Sequence, residues 1–320
     1  MPPKKVIKIS LTPANVDMSR YFSGEFFQDY IFEINNPNCI ECDFWIIHYA
    51  LPNKTEFAKV DPRNIFFFTA EFDGFYNQKF LDQFQKVFTV DTRLQGENLV
   101  YGQSGQPWFI NQTFDELYHQ YYVKKTKLIS VVASNRAGIT YSRNYKIRYD
   151  FVMALKKHFG EGIDIFGRGF NELKNKDDGL LPYKFSVAIE NMPLPYNVSE
   201  KLTDCLLTHT FPLYYDCPNI HRFYDEKSFA KLDIMDHRYS IKLMEKILAT
   251  PNFYEDHLEA VIEAKKKFLL EYSLQAVTVN AAEKYGVTAS NKKMVTIKSN
   301  NDFKSRIKLK LIDLTYNLLR

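Results

Sequence analysis

The stretch from Tyr183 to Cys217, YKFSVAIENMPLPYNVSEKLTDCLLTHTFPLYYDC, constrains the fold of this chain more than any other. Phe185-Ser186-Val187-Ala188-Ile189 is a short alternating run that ends at two polar residues, Glu190 and Asn191, and predicts a strand. A proline-bearing loop follows from Met192 to Tyr196. Ser199 is placed to open a helix that carries Leu202, Leu206 and Leu207. Thr210-Phe211-Pro212-Leu213-Tyr214-Tyr215 then reads as the next parallel strand. In open α/β sheets ligands sit outside the carboxyl ends of the strands, against helix N-termini. Glu190, Asn191, Glu200 and Lys201 all fall at that edge.

The rest of the chain repeats this alternation. Val6–Leu11, Phe44–Tyr49, Asn64–Thr69 and Val87–Val90 are strand candidates, and Phe80, Leu81 and Phe84 mark a helix from about Asn77 to Gln85. The pattern predicts a Rossmann-like first domain. Glu71 stands just past the third of these strands, where such sheets place reactive groups; a solvated loop carboxylate is the alternative. Residues 95–120 are polar and turn-rich and contain Trp108, either a platform for a sugar face or a core residue. Leu128–Asn135 opens a second domain as a strand ending in Ser134-Asn135. A helix from Tyr145 to His158 follows, then Ile163–Phe166 running into Gly167-Arg168-Gly169. That glycine turn lacks both GxGxxG and a Walker lysine, so it reads as a turn lining the cleft. Two further helices are expected at Tyr239–Leu248 and Tyr254–Leu274, with Lys265-Lys266-Lys267 on a solvated face. The boundaries expected are 1–125, 126–276, a polar linker at 277–301, and an amphipathic helix at 302–320.

Hydrophobic residues at 45% and charged residues at 25% are those of a globular chain long enough for two domains. A net charge of +4 suits an anionic ligand without demanding nucleic acid, and no stacking-plus-charge motif supports a nucleic-acid partner. Four cysteines exclude a disulfide scaffold. Cys39 and Cys42 form a lone CxxC without the second pair that a zinc site needs, so they read as ordinary loop thiols. Asp177-Asp178 lies in a Lys- and Asn-rich loop and reads as solvated, so no metal site is expected.

Tyr183-Lys184-Phe185, Ile189-Glu190-Asn191 and Ser199-Glu200-Lys201 stand in an order and at a spacing that resemble the donor-binding signature of family 10 glycosyltransferases, the α-1,3/1,4-fucosyltransferases. Ile189 stands where Phe is usual, Asn197 where an aromatic is common, and Asp216 where a Gly is usual. The resemblance covers roughly residues 60–275. It implies two Rossmann-like domains facing a cleft (the GT-B type), with the first on the acceptor side and the second binding a nucleotide-sugar.

Residue by residue, the resemblance makes Glu71, in Thr69-Ala70-Glu71-Phe72, the catalytic base. It gives Arg148 the nucleotide diphosphate, a task that suits a planar, two-pronged donor; otherwise Arg148 is a helix-surface charge. Ser134, Glu190, Asn191, Glu200 and Lys201 complete the donor-binding set, and Trp108 is the acceptor-side candidate. The implied activity is inverting transfer of L-fucose from GDP-β-L-fucose to a GlcNAc- or glucose-containing glycan, with no cofactor and no metal. Another nucleotide-sugar, or a non-catalytic binding protein on a decayed transferase fold, is the alternative. Animal members carry a membrane anchor and stem. This chain shows no apolar run of roughly 20 residues and no signal-peptide core. The expectation is therefore a cytoplasmic, bacterial- or viral-type enzyme. The last helix either packs back on the body or, through Lys304, Arg306, Lys308 and Lys310, lies on a membrane surface.

Overall fold

The computed structural model describes residues 3–12, 17–51, 53–69, 76–133, 143–288 and 291–300. The chain divides into two compact units. One is Met1–Gln106 with Thr113–Asp115 and Glu271–Arg320; the other is Pro107–Gln112 with Glu116–Leu270.

The first unit is built from β1 (Lys5–Leu11), β2 (Tyr30–Ile34), β3 (Phe44–His48), β4 (Thr55–Val60), β5 (Ile65–Phe68), α1 (Gln78–Leu81), β6 (Lys86–Thr89) and β7 (Leu99–Tyr101). Six of the strands form one parallel sheet in the order β2-β1-β3-β5-β6-β7. Successive strand side chains point to opposite faces, and both faces here are covered, so β3 and β5 are buried throughout and apolar at every position except His48. Trp45, Ile47, Ile65 and Phe67 pack on one side with Phe80 and Phe84, while Ile46, Phe66 and Phe68 pack on the other. The expected helix near Asn77 is only one turn long. Asn77 caps it by accepting from the Phe80 amide at 2.8 Å. The Asn98 amide then donates to the carbonyls of Leu81 and Phe84, which a longer helix would have used itself.

A short helix α2 (Phe114–His119) precedes the second sheet. That unit comprises β8 (Lys127–Val132), α3 (Arg143–Phe159), β9 (Asp164–Phe166), β10 (Tyr183–Ile189), α4 (Glu200–Leu207), β11 (Phe211–Tyr215), β12 (Ala230–Lys231), α5 (His237–Ala249) and α6 (Phe253–Lys267). The strands are parallel, in the order β12-β11-β10-β8-β9. The strand–loop–helix–strand expected at 183–217 is β10, α4 and β11, and β10 pairs with β11 in parallel from Phe185–Phe211 to Ile189–Tyr215. Lys265 departs from the solvated face expected for it. It is 1% exposed and donates to Gln120 Oε1 at 2.9 Å. Burial pushes its pKa down to about 7.

The expected linker at 277–301 is instead largely ordered structure. A π-helical turn at Phe268–Tyr272 leads into α7 (Leu274–Tyr285), and β13 (Lys293–Lys298) pairs antiparallel with β4. Val277, Val279, Ala281 and Ala282 cover one face of the first unit's sheet, and Ile297 joins the cluster on the other. Asn280, Glu283 and Lys284 occupy exposed positions between these contacts, whereas Thr278 is buried with them. All four cysteines are free and buried; Cys39 and Cys42 lie in the loop between β2 and β3, as expected, with their side chains in the core. The helix expected at 302–320 lies outside the described residues. Among the described residues, no helix is long and apolar enough to cross a membrane.

Candidate functional site

In the second unit the chain runs β8, outward to β9, then back across to β10, β11 and β12. The direction of winding therefore reverses between β8 and β10, and loops leaving the carboxyl ends of those strands diverge to opposite faces. A cavity of about 290 Å³ lies there. Val132 and Ala133 line it from the end of β8, Gly167 from the end of β9, and Asn191 from the loop after β10. Gly167 has φ +119°, and a Cβ added there would stand 2.0 Å from the Ala133 carbonyl oxygen. Only glycine lets the two strand ends approach so closely.

The start of α4 forms another wall. Ser199 is its N-cap and accepts from the Lys201 amide. Glu190, 2% exposed, holds this turn from behind. Its carboxylate accepts from the Ser199 amide at 2.9 Å, from the Ser199 hydroxyl and from the Tyr214 hydroxyl at 3.1 Å. Burial raises the Glu190 pKa against the opposing pull of Lys201 and Ser199. Glu200 and Lys201 face the cavity, joined by an ion pair of 2.8 Å. Burial alone would raise the pKa of Glu200. Lys201 and Lys176 outweigh it and keep the carboxyl below its ordinary value.

Arg148 and Tyr145 enter from α3. The Arg148 guanidinium donates to Asn191 Oδ1 and lies 5.7 Å from the Tyr145 ring centroid. Lys176 completes the positive lining. Its ammonium donates to Asp204 at 2.6 Å and to the Glu200 carbonyl at 3.2 Å. Burial opposes its charge, but Asp204, followed by Glu200, overcomes that cost and raises its pKa. Three cations against one lining carboxylate make the cavity suited to an anion with several acceptor oxygens.

Of the residues singled out in the sequence, Arg148, Asn191, Glu200 and Lys201 line this one cavity. Glu190 stands behind it, with both carboxylate oxygens engaged by protein groups. Trp108 is not an open platform. It is 0% exposed, its indole donates to the Gln112 carbonyl at 3.0 Å, and its ring meets Phe268 edge-on. Ser134 and Glu71 lie outside the described residues. Sequence reasoning missed Lys176 and Phe109. Lys176 sits in a charged loop that looks solvated, and only its buried partner Asp204, 28 residues away, distinguishes it.

Parallel sheets with helices around them define an α/β protein of two Rossmann-like units, the GT-B architecture, with a cavity at the winding reversal of the second. Residues 122–275, just under half of the chain, match glycosyltransferase family 10 (fucosyltransferase), C-terminal. The chain is 30% identical over 111 residues to the Alpha-(1,3)-fucosyltransferase FucT of Helicobacter pylori, a match that spans 34% of this chain and 23% of that protein. Its fold is similar to a crystal structure of α1,3-fucosyltransferase with GDP-fucose, at a TM-score of 0.52 and 19% identity, covering 98% of this chain and 90% of the other. A second α1,3-fucosyltransferase structure gives a TM-score of 0.50 at 18% identity, covering 88% and 90%.

Proposed function

We propose that this chain is an inverting fucosyltransferase, moving L-fucose from GDP-β-L-fucose to a hydroxyl of a GlcNAc- or glucose-containing glycan. The observation that carries the reading is the cavity itself: a family 10 stretch whose signature residues Arg148, Asn191, Glu200 and Lys201 converge at the winding reversal, with Lys176 added. In this scheme Arg148 and Lys201 hold the diphosphate and stabilise its charge as the glycosidic bond breaks, helped by the amides at the start of α4. Glu200, kept ionised, accepts from ribose hydroxyls. Asn191, already fixed by Arg148, orients the donor. Glu71 takes the proton of the acceptor hydroxyl in a single displacement. These side chains supply the positive charge that a divalent ion would supply elsewhere, so the scheme needs no cofactor and no metal.

The test is calorimetric titration with GDP, UDP, TDP and CMP in the presence of EDTA. Hydrolysis and transfer assays with GDP-fucose follow. Selective GDP binding, lost in Lys201→Ala, supports the proposal. Selectivity for another nucleotide discards fucose, and activity that requires Mg²⁺ or Mn²⁺ discards the metal-free scheme.

A further inference from the structure

The segment Pro107–Gln112 belongs to the second unit although it precedes the family 10 stretch. Within it, Trp108 and Ile110 are 0% exposed, while Phe109 between them is 52% exposed and lines the cavity. The segment thus buries its two flanking apolar residues and turns a phenyl ring outward.

Its backbone is fixed at three points. The Phe109 amide donates to both carboxylate oxygens of Asp204, at 3.1 and 3.3 Å. The Asn111 amide donates to both oxygens of Asp177 at 3.1 Å. The Trp108 indole donates to the Gln112 carbonyl. The Lys176 ammonium, held by the same Asp204, lies 5.6 Å from the Phe109 ring centroid. A single buried carboxylate therefore sets both the ring and the cation against it, before any ligand arrives.

We propose that Phe109 is the stacking platform for the purine base of the nucleotide in this cavity, and so a determinant of nucleotide specificity. The inference rests on reading the cavity as a nucleotide site. Phosphate oxygens are matched by Arg148 and Lys201. The second aromatic among the described lining residues, Tyr145, is half-buried, and each ring has a cation beside it, Arg148 at 5.7 Å from Tyr145 and Lys176 at 5.6 Å from Phe109. Phe109 is the more exposed of the two and offers the open aromatic surface for a flat ligand. A purine presents a larger π-face than a pyrimidine and overlaps the ring more completely. Because the platform is rigid in advance, little ordering cost offsets the contact.

The experiment compares GDP, UDP and inorganic pyrophosphate binding to the whole chain and to Phe109→Ala, Phe109→Trp and Lys201→Ala. Loss of one base–aromatic stack corresponds to roughly a 5- to 150-fold rise in Kd. The expected result is that rise for GDP in Phe109→Ala, with a smaller rise for UDP, pyrophosphate within twofold of the wild type, and retention of GDP in Phe109→Trp. The melting temperature of Phe109→Ala should match the wild type, since the ring is exposed. GDP binding unchanged in Phe109→Ala while Lys201→Ala weakens it overturns the platform but leaves the nucleotide site standing. Equal loss of pyrophosphate and GDP overturns it as well, because the damage would then not be to a base contact. Weakened GDP-sugar with unchanged GDP would assign the ring to the sugar instead. Failure of the wild type to bind any nucleotide would remove the site reading itself.

Discussion

Glu190 offers a clean separation between a residue that touches a ligand and one that holds the residues that do. Its carboxylate accepts three hydrogen bonds, from the Ser199 amide and hydroxyl and from Tyr214. Glu190→Ala removes both acceptor oxygens and with them all three bonds. The Tyr214 hydroxyl has no route to water, so its loss costs about 1–3 kcal/mol, and each Ser199 bond contributes a further ~0.5–1.5 kcal/mol. A total near 3 kcal/mol corresponds to a fall of about 6–12 °C in the melting of a domain this size. Glu190→Gln keeps the shape and the acceptor oxygen. Burial already disfavours the charged form, so the neutral side chain leaves stability at pH 7.5 equal to or above the wild type. With the folded pKa raised, the native state binds the proton more tightly than the unfolded chain. The group's contribution therefore falls as pH rises from its ordinary value through the folded one, and Glu190→Gln abolishes that slope. Scanning calorimetry at pH 5 and 7.5, paired with GDP titration, reads both effects. Glu190→Ala should melt earlier and bind GDP more weakly because the start of α4 loosens, whereas Glu190→Gln should match the wild type in both. Two results would refute this reasoning: an unchanged melting temperature in Glu190→Ala, or a Glu190→Gln variant that melts normally yet loses GDP as severely as Lys201→Ala.

The neighbouring aromatics should behave oppositely. Trp108→Ala should cost about 3–5 kcal/mol in chemical denaturation, as expected for a fully buried ring, and Phe109→Ala no more than ~0.5 kcal/mol. Lys201→Ala should raise the Kd for GDP about 10- to 150-fold, the range for a bond to a charged group, and should also lower the melting temperature, because the largely buried Glu200 loses its ion-pair partner. His48 is buried with Nε2 3.0 Å from the Ser104 carbonyl, and burial pushes its pKa down to about 4. The unfolded chain then binds the extra proton, so stability is lost as pH falls below the ordinary histidine value. About 2 kcal/mol should disappear between pH 7 and 5, and urea titrations of His48→Gln should show that loss removed.

The elements legible in the sequence were those whose burial pattern is local. β3 and β5 are apolar at every position but His48 because both faces of their sheet are covered, and β10 and β11 are largely buried runs around a helix with a serine cap. The strands that escaped notice carry mixed signals. In β4, Ala58 and Val60 are buried between exposed Thr55, Phe57 and Lys59, and its partner β13 comes from more than two hundred residues later in the chain. Nothing near β13 in sequence indicates that its alternation has a mate. The same distance explains the false linker: the small apolar residues of α7 make sense only against the sheet they cover.

The site divides along the same line. Asn191, Glu200 and Lys201 were legible because each sits at the end of a strand or the start of a helix, and topology carries such positions to one crevice; Arg148, inside α3, was singled out by the family resemblance and otherwise reads as a helix-surface charge. Lys176 and Phe109 reach the cavity by a different route, through Asp204, a side chain that never faces it. Asp204 sits in the middle of α4, fully buried, where an acidic residue without a cation would be strongly disfavoured. An acidic residue on the leucine-bearing face of that helix was thus the available signal: it demands a positive partner from elsewhere in the chain. What the sequence withholds is which lysine answers it. That choice belongs to the packing of a loop, and with it comes Phe109, an exposed ring beside the cavity that local pattern could not distinguish from its buried neighbour Trp108.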